Sequence, residues 1–474
     1  MTKNLFTYNE MEKLSGGKWS GDVNPSAGID FISTDSRKDC RNSIFFALKG
    51  ENFDAHDCLG AAAASGAAAF CLSKRRMKGL EIPPKIPVLI VKDTLEAYQK
   101  LARQHRKKLD LKLIALTGSS GKTSTKEILK AILVYAFGKD KVYATLGNTN
   151  NHFGVPQNLL GLTETHKYAI IEMGSNHPGE IEVLSGIAEP DMGIVVSIGN
   201  AHIEFFGSLD GVAKEKSAIF AKMNKSGTAV IPAEGSGSRT LDTATAKFKT
   251  LRFGNEKAAN ADLAVKYLGG DMTGGSFELH WKKCGLRKTV KWQLPGKHQA
   301  VNAGGAVLAA NALGVSPELA AEALNNGVEI PGMRMRIQVK DGITWINDAY
   351  NANPDSMKAG IEWLAEAVAA NTSKESRIFV ILGDMLEMGD KGPSAHNEIL
   401  KSAAELIPGC MLIAVGPLMS GAAKDIGVNT DISLRDFPNS EEAAKYVKAK
   451  IRRNDVIFLK GSRGMKLEKV ENMV

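Results

Sequence analysis

The segment Thr117-Gly118-Ser119-Ser120-Gly121-Lys122-Thr123-Ser124-Thr125 has the residue types that a phosphate group needs around it. Glycine lets the backbone wrap close to an oxyanion, successive amides and a helix N-terminus donate hydrogen bonds, and lysine adds a compact positive charge. Leu116 occupies the first glycine position of the full GxxxxGK[ST] pattern, so the segment is a variant phosphate loop. Lys122 is expected on the phosphates of a nucleotide, with Gly118, Ser119, Ser120, Gly121 and Ser124 around them. The Thr123 hydroxyl would reach Mg²⁺.

Two further groups follow apolar runs. Ile170-Ile171-Glu172-Met173-Gly174 ends one run in a carboxylate, and Ser197-Ile198-Gly199-Asn200-Ala201-His202 puts an imidazole just after the next. Ligands of open α/β sheets bind at the carboxyl ends of parallel strands. Glu172 suits Mg²⁺, a hard cation, whereas His202 is a less usual partner and points to a second metal site. Fourteen residues later, Lys216 stands beside Lys214 and Glu215 on a helical segment from Leu209 to Lys222. By its own residues it reads as a solvated lysine.

Strands and helices must hold these groups in place. Leu113 to Leu116 reads as a buried strand, and an amphipathic helix is expected from Thr123 to Phe137. Apolar runs at Lys141–Leu146, Tyr168–Met173 and Gly193–Ile198, with helix between the last two, predict a mostly parallel sheet covered on both faces. From Asp262 to Gln293 the pattern turns hairpin-like, Leu263–Leu268 and Ser276–Trp281 flanking the Gly-rich 269–275. Helices are expected at His298–Leu313 and Pro317–Asn325. A new α/β rhythm starts near Pro331-Gly332, with strands at Ile343–Asn347, Arg377–Leu382, Met411–Val415 and Val456–Leu459 and helices at Pro354–Ala369 and Ser440–Ile451. Residues 1 to about 110 form a small α/β unit. The fold expected is α/β with three domains: 1–110, a P-loop-type centre at 111–330, and a Rossmann-like unit at 331–474.

Composition agrees with a folded chain of several domains: 474 residues, 43% hydrophobic and 24% charged. Net charge is +8, a mild excess that favours anionic partners. The basic run Lys100–Lys112, with Arg103, Arg106, Lys107 and Lys108, has no interleaved aromatics; it reads as a solvated helix face leading into a linker, and nucleic acid is not expected as a partner. Cys40, Cys58, Cys71, Cys284 and Cys410 are scattered and never spaced as CxxC, which points to a reducing compartment and away from zinc. The opening Met1-Thr2-Lys3-Asn4 lacks a secretory signal's apolar core, so a cytoplasmic location is expected. The longest uncharged run, Cys58 to Ser73, is too short and Ala-rich for a membrane span and reads as a buried helix, so no stable membrane insertion is expected.

Taken in order, TGSSGKTS, Glu172, Asn200-Ala201-His202 and Ala213-Lys214-Glu215-Lys216 resemble the Mur ligases, ATP-dependent amide-forming enzymes of peptidoglycan precursor synthesis. Further matching strings are Asn148-Thr149-Asn150-Asn151 with Gly154-Val155-Pro156, Asp348 to Pro354, Gly383 to Gly389, and Lys460-Gly461-Ser462-Arg463. Together with Asp35-Ser36-Arg37 they extend the resemblance over nearly the whole chain. It implies three domains, taking UDP-N-acetylmuramoyl-tripeptide, ATP with Mg²⁺, and D-alanyl-D-alanine in turn. The implied metal ligands are Thr123, Glu172, His202 and Lys216, the last as a carbamate. Catalytic roles fall to Lys122, Lys216, His202 and Glu172. Asn302 would face adenine, while Arg334 and Asp348 would reach the nucleotide from the third domain. Substrate contacts would come from Ser36, Arg37, Asn148, Asn150, Asn151, Tyr350, Asn351, Asn353, Lys460, Ser462 and Arg463. The His-Asn pair usual in these ligases reads His298-Gln299, and Met333 separates Pro331-Gly332 from Arg334. A monomer is the implied state.

Overall fold

A computed structural model describes residues 4–371, 376–427 and 433–474. Its centre is a nine-stranded sheet ordered Leu286–Trp292, Gly274–Trp281, Leu263–Asp271, Lys249–Asn255, Thr228–Pro232, Met192–Val195, Lys112–Thr117, Tyr168–Glu172 and Val142–Ala144. The last seven are parallel, and the hairpin strands at the first edge are antiparallel. Leu113, Ile114, Ala115 and Leu116 are fully buried, as a strand covered on both faces requires. Removing one such side chain to Ala costs ~2–5 kcal/mol. The helix Lys122–Phe137 follows, burying Ile128, Leu129, Ile132 and Leu133. It packs against the helix Lys297–Ala312, which brings the small side chains of Ala303, Ala306 and Ala310 into the same core.

A smaller sheet near the N-terminus runs Lys18–Ser20, Val88–Val91, Ala69–Ser73, Ser43–Phe46, Phe31–Ser33, parallel except for the first strand. The third sheet runs Arg336–Lys340, Ile343–Asn347, Val456–Lys460, Ile378–Gly383, Met411–Val415, Leu434–Phe437, antiparallel only at its first strand. No helix among the described residues is long and apolar enough to cross a membrane.

Four local expectations need correcting. The uncharged run from Cys58 is a six-residue helix, Leu59–Ala64, that gives way to the buried strand Ala69–Ser73; Gly66 breaks the helix at φ +93° and Phe70, Cys71 and Leu72 prefer a pleated, buried surface. The segment Leu209–Lys222 is helical only over Leu209–Ser217, tightening into a 3₁₀ turn at Ala218–Phe220. In the hairpin, the strands run through the glycines and turn at Met272-Thr273, because Asp271 Oδ1 accepts from the Thr273 amide and hydroxyl.

The fourth concerns the basic run. It belongs to the helix Thr94–Lys107, and Arg106 is not solvated: it is buried, 2.8 Å from Asp191 Oδ2 across the groove to the central sheet. The same carboxylate oxygen accepts from the Leu113 amide at 2.9 Å. Arg103 and Lys107 pair with Glu189 beside it, and His105 Nε2 meets Leu162 O at 2.8 Å.

Candidate active site

The three sheets face one 1340 Å³ cleft. At its centre the strand Lys112–Thr117 breaks into the phosphate loop, and the next helix begins at Gly121 with φ +77°. A Cβ at Gly121 would lie 2.5 Å from Asn302 Oδ1, so both the backbone angle and the space require glycine there. The loop is tied to the neighbouring strand end: the Ser119 and Ser120 amides donate to Ser197 O and Ser197 Oγ at 3.0 Å, and Ser119 Oγ donates to Gly199 O. Lys122 Nζ donates to Gly118 O at 2.7 Å, bridging the loop from within. Burial, with help from Arg334, lowers its pKa, and Glu172 opposes the shift.

Glu172 leaves the sheet one strand away. It is 2% exposed; Oε2 accepts from Thr123 Oγ1 at 2.9 Å and Oε1 from Asn150 Nδ2 at 2.8 Å. Both donors are neutral and no described cation lies within ion-pair distance, so the Lys122 charge acts on this buried carboxylate only from farther off, and a buried carboxylate without an ion-pair partner is costly. Hard oxygen donors converging on such a charge fit Mg²⁺.

His202 does not join them. Its ring turns toward the third sheet, with Nδ1 2.5 Å from Glu387 Oε2 but off the hydrogen-bond direction. Among the described residues no three His, Cys, Asp or Glu side chains gather to hold a metal. Glu172 and His202 both line the cleft, each engaged by different neighbours.

Lys216 overturns its local reading as a solvated side chain. It is 1% exposed, donates to Ser175 Oγ at 2.8 Å and lies 5.3 Å from the Phe206 ring centre. Burial first, and the charge on Lys122 second, bring its pKa down to about 7. Its neighbour Glu215 accepts from the amides of Gly179 and Ile181, capping the helix Glu180–Ala188 and fixing the turn from which Lys216 projects.

The third sheet contributes Asp348, ion-paired to buried Lys460 and accepting from the Met335 amide at 3.1 Å. The Arg334 guanidinium stacks 3.6 Å above the Tyr350 ring. His298 faces this pair, and burial pushes its pKa down to about 4. Asn302 donates to Gln299 Oε1 at 3.2 Å and braces the loop at Gly121. Asn148, Asn150, Asn151, Asn351 and Asn353 also line the cleft, although Asn151 and Asn353 spend their side-chain oxygens on local amides.

Four expected contacts lie outside the cleft lining. Ser36 and Arg37 sit on an outer turn, where Arg37 is bound to Asp35 at 2.8 and 2.9 Å. Ser462 accepts from the Leu386 amide and Arg463 pairs with Glu468. Conversely, the cleft includes groups the sequence did not suggest: Asp355, which accepts from the Asn200 amide at 2.9 Å, and, beside the smaller N-terminal sheet, Lys49, His56, Arg75 and Lys92. The signal available was a basic residue after each of three apolar runs, Lys49, the cluster Lys74-Arg75-Arg76, and Lys92.

Residues 116–310 match the Mur ligase middle domain, and residues 333–463 match the Mur ligase, glutamate ligase domain. A UDP-N-acetylmuramoyl-tripeptide–D-alanyl-D-alanine ligase of Escherichia coli (strain K12) is 34% identical over 470 residues, 98% of this chain and 97% of its own. The chain belongs to the Mur ligase family. A crystal structure of MurF from Acinetobacter baumannii superposes with a TM-score of 0.86 at 31% identity, covering 98% of both chains. The Mur ligase MurF of Thermotoga maritima in complex with ADP gives 0.78 at 25% identity, over 94% of this chain and 96% of that one.

Proposed function

We propose that the protein joins D-alanyl-D-alanine to UDP-N-acetylmuramoyl-tripeptide using ATP, an acid–amino-acid ligation in peptidoglycan precursor synthesis. The observation that carries this reading is the meeting of the phosphate loop with Arg334 and the Asp348–Lys460 pair in one cleft, whose lining residue Ser175 holds the buried Lys216. Full-length similarity to a ligase of that name supports the same substrates. Residues 1–110 would hold the nucleotide-linked peptide, 111–330 ATP, and 331–474 the dipeptide.

A carboxylate oxygen of the tripeptide attacks the γ-phosphorus, the bond to the β-bridging oxygen breaks, and ADP leaves. The dipeptide amine then adds to the acyl phosphate carbon, loses a proton, and phosphate departs from the tetrahedral intermediate. Several anions converge, so positioning and charge neutralisation carry most of the catalysis. Lys122 would leave Gly118 O for the phosphates, and the amides of residues 118–124 would complete their cradle. Thr123 and Glu172 would hold Mg²⁺, which supplies charge neutralisation at the phosphate oxygens. Lys216, whose depressed pKa leaves much of it as free amine near neutral pH, is suited to accept CO₂ and become an anionic oxygen ligand. His202 is left to its contact with Glu387. Arg334 and Asp348 would meet the nucleotide, and Tyr350, Asn351 and Lys460 the dipeptide side. Soluble nucleotide substrates fit a cytoplasmic enzyme.

The test is phosphate release from ATP with the UDP-linked tripeptide, with and without D-alanyl-D-alanine. Release that needs both substrates is the expected result; release indifferent to the dipeptide, or none, sinks the assignment.

A further inference from the structure

Lys126 lies one turn beyond Lys122 on the helix Lys122–Phe137 but does not line the cleft. It is 1% exposed and pairs with Glu127 at 2.9 Å. Taking two charges out of water is costly, and well-packed apolar side chains in their place are often as stable or more so. Stability alone therefore gives no reason for a lysine here. What its ammonium reaches is the Thr145 carbonyl, at 2.7 Å. Thr145 is the first residue beyond the edge strand Val142–Ala144, where the chain leaves the ladder. Its hydroxyl oxygen accepts from the Glu172 amide at 2.9 Å. Lys126 thus holds, from behind, the residue that grips the backbone of the cleft carboxylate.

A second tether acts on the next stretch of chain. Asn158 is buried, also outside the cleft lining, and both ends of its amide are used. Nδ2 donates to Thr149 O at 2.8 Å and to Gly154 O at 2.7 Å. Oδ1 accepts from the Tyr143 hydroxyl at 3.0 Å and from the Leu146 amide at 3.2 Å. These bonds fasten residues 146–154 to the edge strand and present Asn150, whose Nδ2 donates to Glu172 Oε1 and whose carbonyl accepts from the Gly174 amide at 2.9 Å. Glu172 is held by its amide and by its carboxylate, and each grip is backed by one buried polar side chain.

Resting on the ligase reading for the metal that Glu172 would hold, we infer that Lys126 and Asn158 are positioning residues, which aim the Glu172 carboxylate and so set the affinity of the site for a divalent cation. Loss of a group standing one step behind a metal ligand commonly weakens metal binding about 10- to 100-fold.

Mn²⁺ binding to the enzyme with ADP, read from the electron paramagnetic resonance signal of free Mn²⁺, tests this without turnover. Lys126→Met and Asn158→Asp should each weaken binding at least about tenfold, as Glu172→Gln does. Leu129→Ala removes a buried side chain from the same helix and should stay within about twofold of wild type. Adding either tether change to Glu172→Gln should weaken binding no more than about a further twofold, because the effect passes through that carboxylate; a residue acting only on the fold would add its full loss. If Lys126→Met does not fold, Asn158→Asp and its double variant decide. Wild-type phosphate release measured alongside keeps two failures apart. No release with all three substrates ends the ligase reading. No Mn²⁺ binding by wild type, wild-type affinity in Glu172→Gln or in a folded tether variant, an equal loss in Leu129→Ala, or an additive loss in the double variants overturns the roles of Lys126 and Asn158.

Discussion

Replacing Lys216 with Met separates what the fold gains from what the chemistry needs. An ordinary lysine titrates at 10.5, and burial takes this one to about 7. Between those values the unfolded chain holds the proton that the folded chain has released, so stability rises with pH across that window. At pH 7 the burial of Lys216 costs ~4 kcal/mol relative to a solvated lysine, falling to ~1 kcal/mol by pH 10. Methionine removes that cost and loses the Ser175 hydrogen bond and the Phe206 contact, ~1 kcal/mol each. In CO₂-free buffer Lys216→Met should therefore be ~2 kcal/mol more stable than wild type at pH 7, with the advantage gone by pH 10, while phosphate release falls by at least two orders of magnitude. Denaturation of both proteins across pH 7–10, beside the release assay, checks it. A variant that is less stable at pH 7, or whose difference from wild type ignores pH, refutes the reasoning.

Lys216→Ala should be inactive and partly restored by a short-chain carboxylate added to the assay; full activity without one would exclude a carbamate role. Lys122→Ala should abolish ADP formation while its far-UV circular dichroism matches wild type, and undiminished turnover would remove Lys122 from the phosphate site. Gly121→Ala must accommodate a methyl 2.5 Å from Asn302 Oδ1 at φ +77°; it should raise KM for ATP more than tenfold, with Asn302→Ala relieving part of the loss in the double variant. His298 stays neutral in the fold down to about pH 4 but takes a proton near 6.5 when unfolded, so stability should fall as pH drops from 6.5 to 4, and His298→Gln should flatten that slope in melting curves.

The phosphate loop was legible because its signal is local: an apolar strand, a glycine turn and an amphipathic helix follow one another within 25 residues, and the sheet only had to form. Glu172 was legible for the same reason, being the polar end of an apolar run. The burial of Lys216 was not legible from its own neighbours, because the groups that meet it, Ser175 and Phe206, stand elsewhere in the sequence. The alanine run after Cys58 misled because alanine has no facing preference, leaving helix and buried strand equally open until the sheet chose. The cations that line the cleft from the N-terminal sheet were invisible for a third reason: Lys49, Arg75 and Lys92 are well separated in sequence, and only the strand order Val88–Val91, Ala69–Ser73, Ser43–Phe46 brings their strands side by side.

Asp191 is shared between the Arg106 guanidinium and the Leu113 amide near the start of the phosphate-loop strand. The covalent boundary near residue 110 is therefore not a mechanical one. A protease given this protein should find little to cut there, and a fragment beginning at Leu111 would carry into solution a carboxylate that has lost its counterion at the root of its own nucleotide site. Any exchange of the first segment between related enzymes has to bring its arginine along, or supply another cation in the same groove, before the loop on the far end of that strand can be expected to keep its shape.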